Sequence, residues 1–178
     1  MEATYWLARS HNELSEYSEA LVLLKEVFET ECQERVQVAI WFDGAIAADR
    51  INQSDLSKKW LKKIWERYPQ NHLADDAIRQ SLEIDVRGKD TASALRLIDT
   101  FCAAYKDSPL IPEVLELEGR IHYSAEEYQT AINIFRDLLD NYSGNRSRDI
   151  NWHYLKALAH LGVEEFENSK IELNKISL

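Results

Sequence analysis

A small side chain recurs along this chain at a nearly constant interval of 37 residues. The five positions are Ala20, Ser57, Ala94, Ala131 and Ser169, and their successive separations are 37, 37, 37 and 38 residues. An apolar residue follows each of them after four positions, and another follows after three more. These spacings place all three side chains on one face of an α-helix. The sequence therefore predicts five copies of one helical unit that must stack to bury their apolar faces.

Twelve positions before these residues, four of the five side chains are again small. These positions hold Ala8, Ala45, Leu82, Gly119 and Ala157. Two antiparallel helices joined by a tight turn approach closely, which favours small side chains where they cross. Each unit is therefore predicted to contain a first helix (helix A), a turn and a second helix (helix B). Leu82 breaks the pattern and Gly88 arrives one residue early, so a one-residue shift that places Ser81 at the crossing is one interpretation.

The segments between units carry residues that interrupt helices, at 68–71, 105–109 and 142–145. Pro112 falls where the first turn of a helix would begin, a position that tolerates proline. We predict an all-α fold of about ten antiparallel helices without β-strands. We expect one domain over residues 1–178, with repeats at about 1–37, 38–74, 75–111, 112–148 and 149–178.

The composition narrows the possible functions. A formal net charge of −10 argues against a nucleic-acid partner, because phosphates would be repelled. No apolar run approaches the roughly 18 residues of a membrane span, and the amino terminus does not resemble a signal peptide. The compartment stays open between the cytoplasm and, if a signal was removed, the periplasm. Because the last unit has no polar capping helix, we expect that the chain is a fragment of a longer array or that another copy covers that end.

The five units resemble the tetratricopeptide repeat, which combines an aromatic residue or leucine early in helix A with small residues at fixed positions. The first unit matches through Tyr5, Leu7, Ala8, Tyr17 and Ala20, and the fourth through Leu115, Gly119, Tyr128, Ala131 and Phe135. The third unit departs from the pattern, with Thr91 where an aromatic residue is usual and Lys106 where proline is usual. The long repeats and tyrosine-containing connectors also resemble those of bacterial envelope scaffolds, such as outer-membrane assembly lipoproteins and the Tol–Pal-associated periplasmic protein.

The resemblance implies a right-handed α-α superhelix that recognises a protein or peptide on a concave face lined by helix A. The positions that match this face are Tyr5, Arg9, Asn12, Phe42, Ile46, Asp49, Arg79, Glu83, Arg120, Tyr123 and Tyr154. Chaperone-binding members of the family use a Lys/Asn clamp, and the matching positions here hold Tyr5, Arg9, Phe42 and Ile46. A chaperone carboxyl terminus is therefore not the expected ligand.

The leading functional prediction is an interaction scaffold for a partner protein or peptide. The alternatives are a structural module that self-associates, including end to end, and a regulatory arm of a multidomain enzyme or transcription regulator. No phosphate-binding glycine loop, GxSxG or HExxH motif occurs, so we predict neither catalysis nor a cofactor.

Three further features are interpreted as structural. His11, His122 and His160 share one place in helix A, which favours packing over a metal site. Cys32 and Cys102 lack zinc-type spacing and are read as incidental thiols. A basic stripe in helix B of the second unit comprises Lys58, Lys59, Lys62, Lys63 and Arg67. It is interpreted as a solvated convex face, with docking of an acidic partner or a membrane surface as the alternative.

Overall fold

The structure is a computed structural model that describes residues 2–30 and 32–177. Over these residues the chain forms ten α-helices and no β-strand. The helices are α1 (Glu2–Glu13), α2 (Tyr17–Val27), α3 (Glu34–Arg50), α4 (Ser54–Arg67), α5 (Ala74–Arg87), α6 (Thr91–Ala104), α7 (Ile111–Ser124), α8 (Tyr128–Tyr142), α9 (Arg146–Gly162) and α10 (Phe166–Ile176). The all-α prediction is therefore confirmed, and odd-numbered helices correspond to helix A and even-numbered helices to helix B. None of the described helices is long and apolar enough to cross a membrane.

The chain divides into two compact units, residues 1–97 and 98–178, with the boundary inside α6. The first unit holds α1 to α5 and the second holds α7 to α10. The single repeat domain and its five boundaries stay a prediction.

Every helix A ends in the same tight turn. Among the described residues, five that are not glycine adopt a left-handed backbone with φ between 59° and 62°, namely Ser15, Asn52, Lys89, Glu126 and Glu164. The residue after each one donates its backbone N–H to the carbonyl five residues back, at 2.8–2.9 Å. This is the hydrogen bond of a Schellman turn, in which a left-handed residue ends a helix and satisfies a terminal carbonyl. Because these turns recur every 37 or 38 residues, the backbone repeats with the period of the small side chains.

The third turn keeps the register of the others. Lys89 takes the left-handed conformation, whereas Gly88 has φ −75° and belongs to the end of α5. Lys89 follows Asn52 by 37 residues, so helix A of this repeat ends where the constant interval requires. The early turn at Gly88 that suggested a one-residue shift toward Ser81 is therefore absent. Leu82 keeps the register position of Ala8 and Ala45, and both Ser81 and Leu82 are buried.

The first unit is packed through aromatic rings between successive hairpins. Trp41 on α3 donates its indole N–H to the backbone carbonyl of Phe28, at 3.1 Å, just after α2. The Phe28 ring also stacks on Trp60 of α4, with ring centroids 4.3 Å apart. One ring at the end of α2 thus contacts both helices of the next hairpin, which fixes that hairpin against the first one.

The second unit has a core built mainly from one face of α8 and one face of α9. Its buried members are Ala131, Ile132, Phe135, Leu138, Trp152 and Ala159. Helix α7 crosses α8 at Gly119, where an added Cβ would lie 2.7 Å from the Phe135 ring. The atoms nearest to Gly119 belong to Phe135 and Ile134, one turn beyond Ala131. The close approach expected at Gly119 is present, and the ring of Phe135, one turn beyond Ala131, occupies it.

Candidate interaction surface

Three residues predicted for the binding face meet around Asp43 in the first unit. The Tyr5 hydroxyl on α1 donates to Oδ2 of Asp43 on α3, at 3.0 Å. Asn12 donates its side-chain amide to the backbone carbonyl of Asp43, at 3.2 Å. The Arg9 guanidinium lies close enough to Asp43 to favour its ionised form. Helix α1 therefore holds Tyr5, Arg9 and Asn12 in one row against α3.

Asp43 was missed by sequence reasoning. Burial raises the pKa of its carboxyl, the Tyr5 hydrogen bond and Arg9 oppose that rise, and Glu13 adds to it. Burial, followed by the nearby Asp43 carboxylate, also raises the pKa of the Tyr5 hydroxyl. The available signal was local, since Asp43 is the one charged residue in the apolar run 38–48. A charge at such a place is costly to bury without partners, which predicts hydrogen bonds from a neighbouring helix.

The residues of this row differ in what they offer to a partner. Tyr5 is buried and Asn12 is half-buried, so they mainly support the surface, whereas Arg9 is exposed. Phe42 and Ile46 on α3 are half-buried and lie one helical turn apart on a common face. The surface at α1 and α3 thus combines one accessible cation with partly accessible apolar side chains.

Other predicted residues of the first unit are held in ion pairs. Asp49 near the end of α3 pairs with Arg87 on α5, and its side chain is only 8% exposed. Arg79 on α5 pairs with Glu83 one turn later and also faces Asp76. The structure therefore brings Asp49 to α5, but its carboxylate is already engaged.

In the second unit Glu116 on α7 occupies the central position. Its carboxylate accepts hydrogen bonds from the Asn151 amide at 3.0 Å and the Trp152 indole at 2.8 Å, both from α9. Arg120 pairs with the same carboxylate at 2.7 Å, and its own side chain is about half exposed. Glu116 was not predicted, although a carboxylate one turn before Arg120 is a sequence signal for such a pair.

The two remaining predicted residues lie in different environments. The Tyr123 ring packs edge-on against Tyr128, with centroids 5.5 Å apart, and belongs to the border of the hydrophobic core. Tyr154 on α9 is well exposed. Only Arg120 and Tyr154 therefore present accessible groups among the predicted residues of this unit.

The three equivalent histidines each contact a glutamate across the turn that ends helix A. Nδ1 of His11, His122 and His160 lies 2.6, 2.5 and 2.7 Å from a carboxylate oxygen of Glu16, Glu127 and Glu165. Each glutamate directly precedes the following helix B. These contacts give the histidines a structural role that joins the two helices of a hairpin. In the described part of the chain no group of three or more potential ligands is arranged to hold a metal ion.

The basic stripe of α4 is only partly a solvated face. Lys58 bonds to the buried Asp85 of α5 at 2.6 Å, and Lys63 pairs with Glu29 at 3.2 Å after α2. Lys63 also lies 4.4 Å from the centre of the Phe28 ring. Two lysines of the stripe thus bridge to neighbouring hairpins, which explains part of the charge run structurally.

No protein-family model matches the sequence, and no curated protein matches it by sequence. Solved structures do match the fold. MamA from residue 41 to its end, from Desulfovibrio magneticus RS-1, has a TM-score of 0.76 at 15% identity, over 99% of this chain and 92% of that chain. MamA of strain AMB-1 gives a TM-score of 0.72 at 17% identity, over 98% of this chain and 88% of that chain.

A third similar structure is a putative kinesin light chain of Podosopora anserina with nearly identical TPR-like repeats. It gives a TM-score of 0.73 at 13% identity, over 99% of this chain and 92% of that chain. At these identities the likeness concerns the fold. The chain therefore has a tetratricopeptide-type repeat fold, as its sequence predicted.

Proposed function

We propose that this chain is a non-catalytic scaffold that binds a partner protein or peptide through side chains on its A helices. The observation that carries the proposal is the surface at α1 and α3. There the exposed Arg9 lies beside the half-buried carboxylate of Asp43, and the same helix α3 carries the half-buried Phe42 and Ile46. An accessible cation bordered by apolar side chains is suited to a peptide that carries a carboxylate beside apolar residues.

The tetratricopeptide-type fold supports this proposal, because that family recognises proteins and peptides on the faces of its A helices. Arg120 adds a second accessible cation at the equivalent face of the second unit. Glu116 holds it in place, and Asn151 and Trp152 hold Glu116 in turn, so less side-chain freedom is lost when a partner binds. Both predicted carboxylates of this face, Asp49 and Glu83, are paired, which leaves Arg9 and Arg120 as its accessible cations.

Reversing the charge of both arginines tests the proposal. We expect Arg9→Glu combined with Arg120→Glu to keep the circular-dichroism spectrum of the wild type, because Arg9 is exposed and Arg120 is 49% exposed. The melting temperature should fall, because each new carboxylate stands beside Asp43 or Glu116. Partner recovery from the source cell, measured by mass spectrometry with the chain as bait, should fall. The captured partner, once purified, should bind at least about tenfold more weakly in direct titration.

A matched control carries the same charge change on B helices. Lys25→Glu combined with Arg136→Glu alters exposed residues of α2 and α8 and should bind the partner as the wild type does. Equal binding by the wild type and the Arg9, Arg120 variant would exclude the A-helix face as the binding surface. Equal losses in both double variants would show that net charge alone governs capture.

A further inference from the structure

We propose that a second copy of this chain docks its helix α1 on the outer face of α9 and α10, as one repeat follows another within the chain. The carboxyl-terminal face is defined here by Tyr154, Phe166 and Leu173. The amino-terminal face is defined by Ala3, Trp6, Ser10 and Leu14. All seven side chains are exposed.

The carboxyl-terminal face leaves Leu173 and Tyr154 more exposed than their counterparts in earlier repeats. Leu173 is 37% exposed, whereas its counterparts Leu24, Leu61, Ile98 and Phe135 are each at most 2% exposed. Tyr154 is 46% exposed, whereas its counterpart Tyr5 is 4% exposed and the other three counterparts, Phe42, Arg79 and Glu116, are half-buried. These side chains therefore lack a covering helix that the same positions have elsewhere in the chain.

The fourth and fifth hairpins show what kind of helix covers such a face. Phe135 of α8 is buried in one cluster with Trp152 and Ala159 of α9, and Leu155 and Val163 pack against that cluster. These four residues lie on a single face of the A helix and its final turn, because their spacings are three and four. The covering element is thus a helix A that presents apolar or small residues at these four positions.

Helix α1 and its final turn have the same four positions. Counting back 149 residues from Trp152, Leu155, Ala159 and Val163 gives Ala3, Trp6, Ser10 and Leu14. All four are small or apolar, and Trp6 and Leu14 are 58% and 69% exposed. Helix α1 therefore has the same face that α9 packs against α8, and no element of the described residues covers it.

The contacts within the first unit fix the register of the proposed interface. Tyr5 of α1 bonds to Asp43 of α3. In the repeat register Tyr154 is the equivalent of Tyr5 in the last repeat, and Trp6 is the equivalent of Asp43 in the first. If the two copies repeat the contact between successive A helices, Tyr154 of one copy lies beside Trp6 of the next, where two aromatic rings can pack. Leu173 would lie over Ala3 and Ser10. The two faces differ, so the interface is heterologous and each copy can contact two others.

Sedimentation velocity over a range of concentrations tests this interface. We expect the wild-type chain to associate progressively as its concentration rises. Trp6→Glu and Leu173→Glu should each weaken that association at least about tenfold, because each places a charge in an apolar contact. Circular dichroism of each variant should match the wild type, since both side chains are exposed. Leu14→Glu provides an independent variant of the amino-terminal face if Trp6→Glu alters folding.

Mixing the two variants gives the sharpest outcome. Trp6→Glu keeps an intact carboxyl-terminal face and Leu173→Glu keeps an intact amino-terminal face, so the mixture should form a one-to-one dimer and nothing larger. Val22→Glu, at an exposed position of α2 outside both faces, should associate like the wild type. A wild-type chain that stays monomeric at every concentration would overturn the proposal. So would association that Leu173→Glu abolishes while Trp6→Glu leaves it intact, because that pattern belongs to a symmetric contact.

Discussion

The Trp60 ring of α4 lies against the backbone of α3 at Gly44, so closely that a Cβ at that position would stand 1.7 Å from the ring carbon Cζ3. We expect Gly44→Ala to destabilise the fold by about 1–3 kcal/mol, despite the better helix propensity of alanine, because the ring must move within a packed core. Urea unfolding measures this change.

A second substitution checks the cause of that loss. Trp60→Leu removes the opposing ring atoms and makes room for a methyl group at Gly44. The double variant should therefore lose less stability than the sum of the two single variants. Strict additivity would show that Gly44 is not constrained by Trp60.

The left-handed turns predict that a substitution by glycine has opposite effects on stability at two positions. Lys89 has φ 59°, a conformation that costs an L-residue about 1 kcal/mol and glycine almost nothing. We expect Lys89→Gly to stabilise the chain by about 0.5–1 kcal/mol. Lys59→Gly, the same substitution at an exposed position inside α4, should destabilise it by about 1 kcal/mol. Thermal unfolding of both variants measures these changes. Melting temperatures that shift in the same direction would contradict the turn assignment.

These turns also show what sequence reasoning could and could not provide. The repeat period was predictable because tight helix crossings demand small side chains, and those can be read directly at Ala20, Ser57 and Ala131. The turn residues were not predictable by type. Backbone geometry sets the left-handed position, and serine, asparagine, lysine and glutamate all occupy it in this chain. Gly88 was misleading because it ends a helix without adopting the left-handed conformation.

The candidate surface, too, could be predicted from the sequence only in part. Its positions in helix A followed from the repeat, but their partners depend on which helices lie side by side. Asp43 anchors the surface of the first unit and Glu116 that of the second, and each accepts hydrogen bonds from another helix, from residues at least 31 positions away in sequence. Such pairs emerge only when the hairpins are packed together.

The buried Glu172 is expected to make the free energy of unfolding depend on pH in the acidic range. This carboxylate on α10 is buried, and it accepts hydrogen bonds from His153 at 2.6 Å and Lys175 at 3.2 Å and pairs with Lys156 at 3.2 Å. Burial acts to raise its pKa, but these partners outweigh burial and lower the pKa below the ordinary value. The ionised form therefore adds stability above the unfolded pKa of about 4.3, and this stability is lost as pH falls through the lower folded pKa.

The measurement compares Glu172→Gln with the wild type by urea unfolding between neutral and acidic pH. The variant should be about 1–3 kcal/mol less stable near neutral pH, and the gap should narrow in acid as the wild-type carboxylate is protonated. Glu167→Gln, at an exposed position of the same helix, is the control and should show little change. A gap that stays constant with pH would rule out the charge of Glu172 as its source.

The turn before α10 predicts a shifted carboxyl titration. Hydrogen bonds from Asn168 and then His160 lower the pKa of the Glu165 carboxyl. We expect Asn168→Ala and His160→Ala each to raise that pKa toward its ordinary value, because each removes a donor to the ionised form. Carboxyl carbon NMR during an acid titration measures it. An unchanged titration in both variants would mean that these contacts are not formed in solution.

The central claim is that one helical hairpin recurs along the chain, with each A helix ending in a left-handed turn at a fixed interval. Backbone NMR chemical shifts test it most directly, since they report helix and the sign of φ residue by residue. The claim predicts ten helical stretches, with left-handed shifts at Ser15, Asn52, Lys89, Glu126 and Glu164. Strand-like shifts inside these stretches, or helical shifts continuing through the five turns, would contradict it.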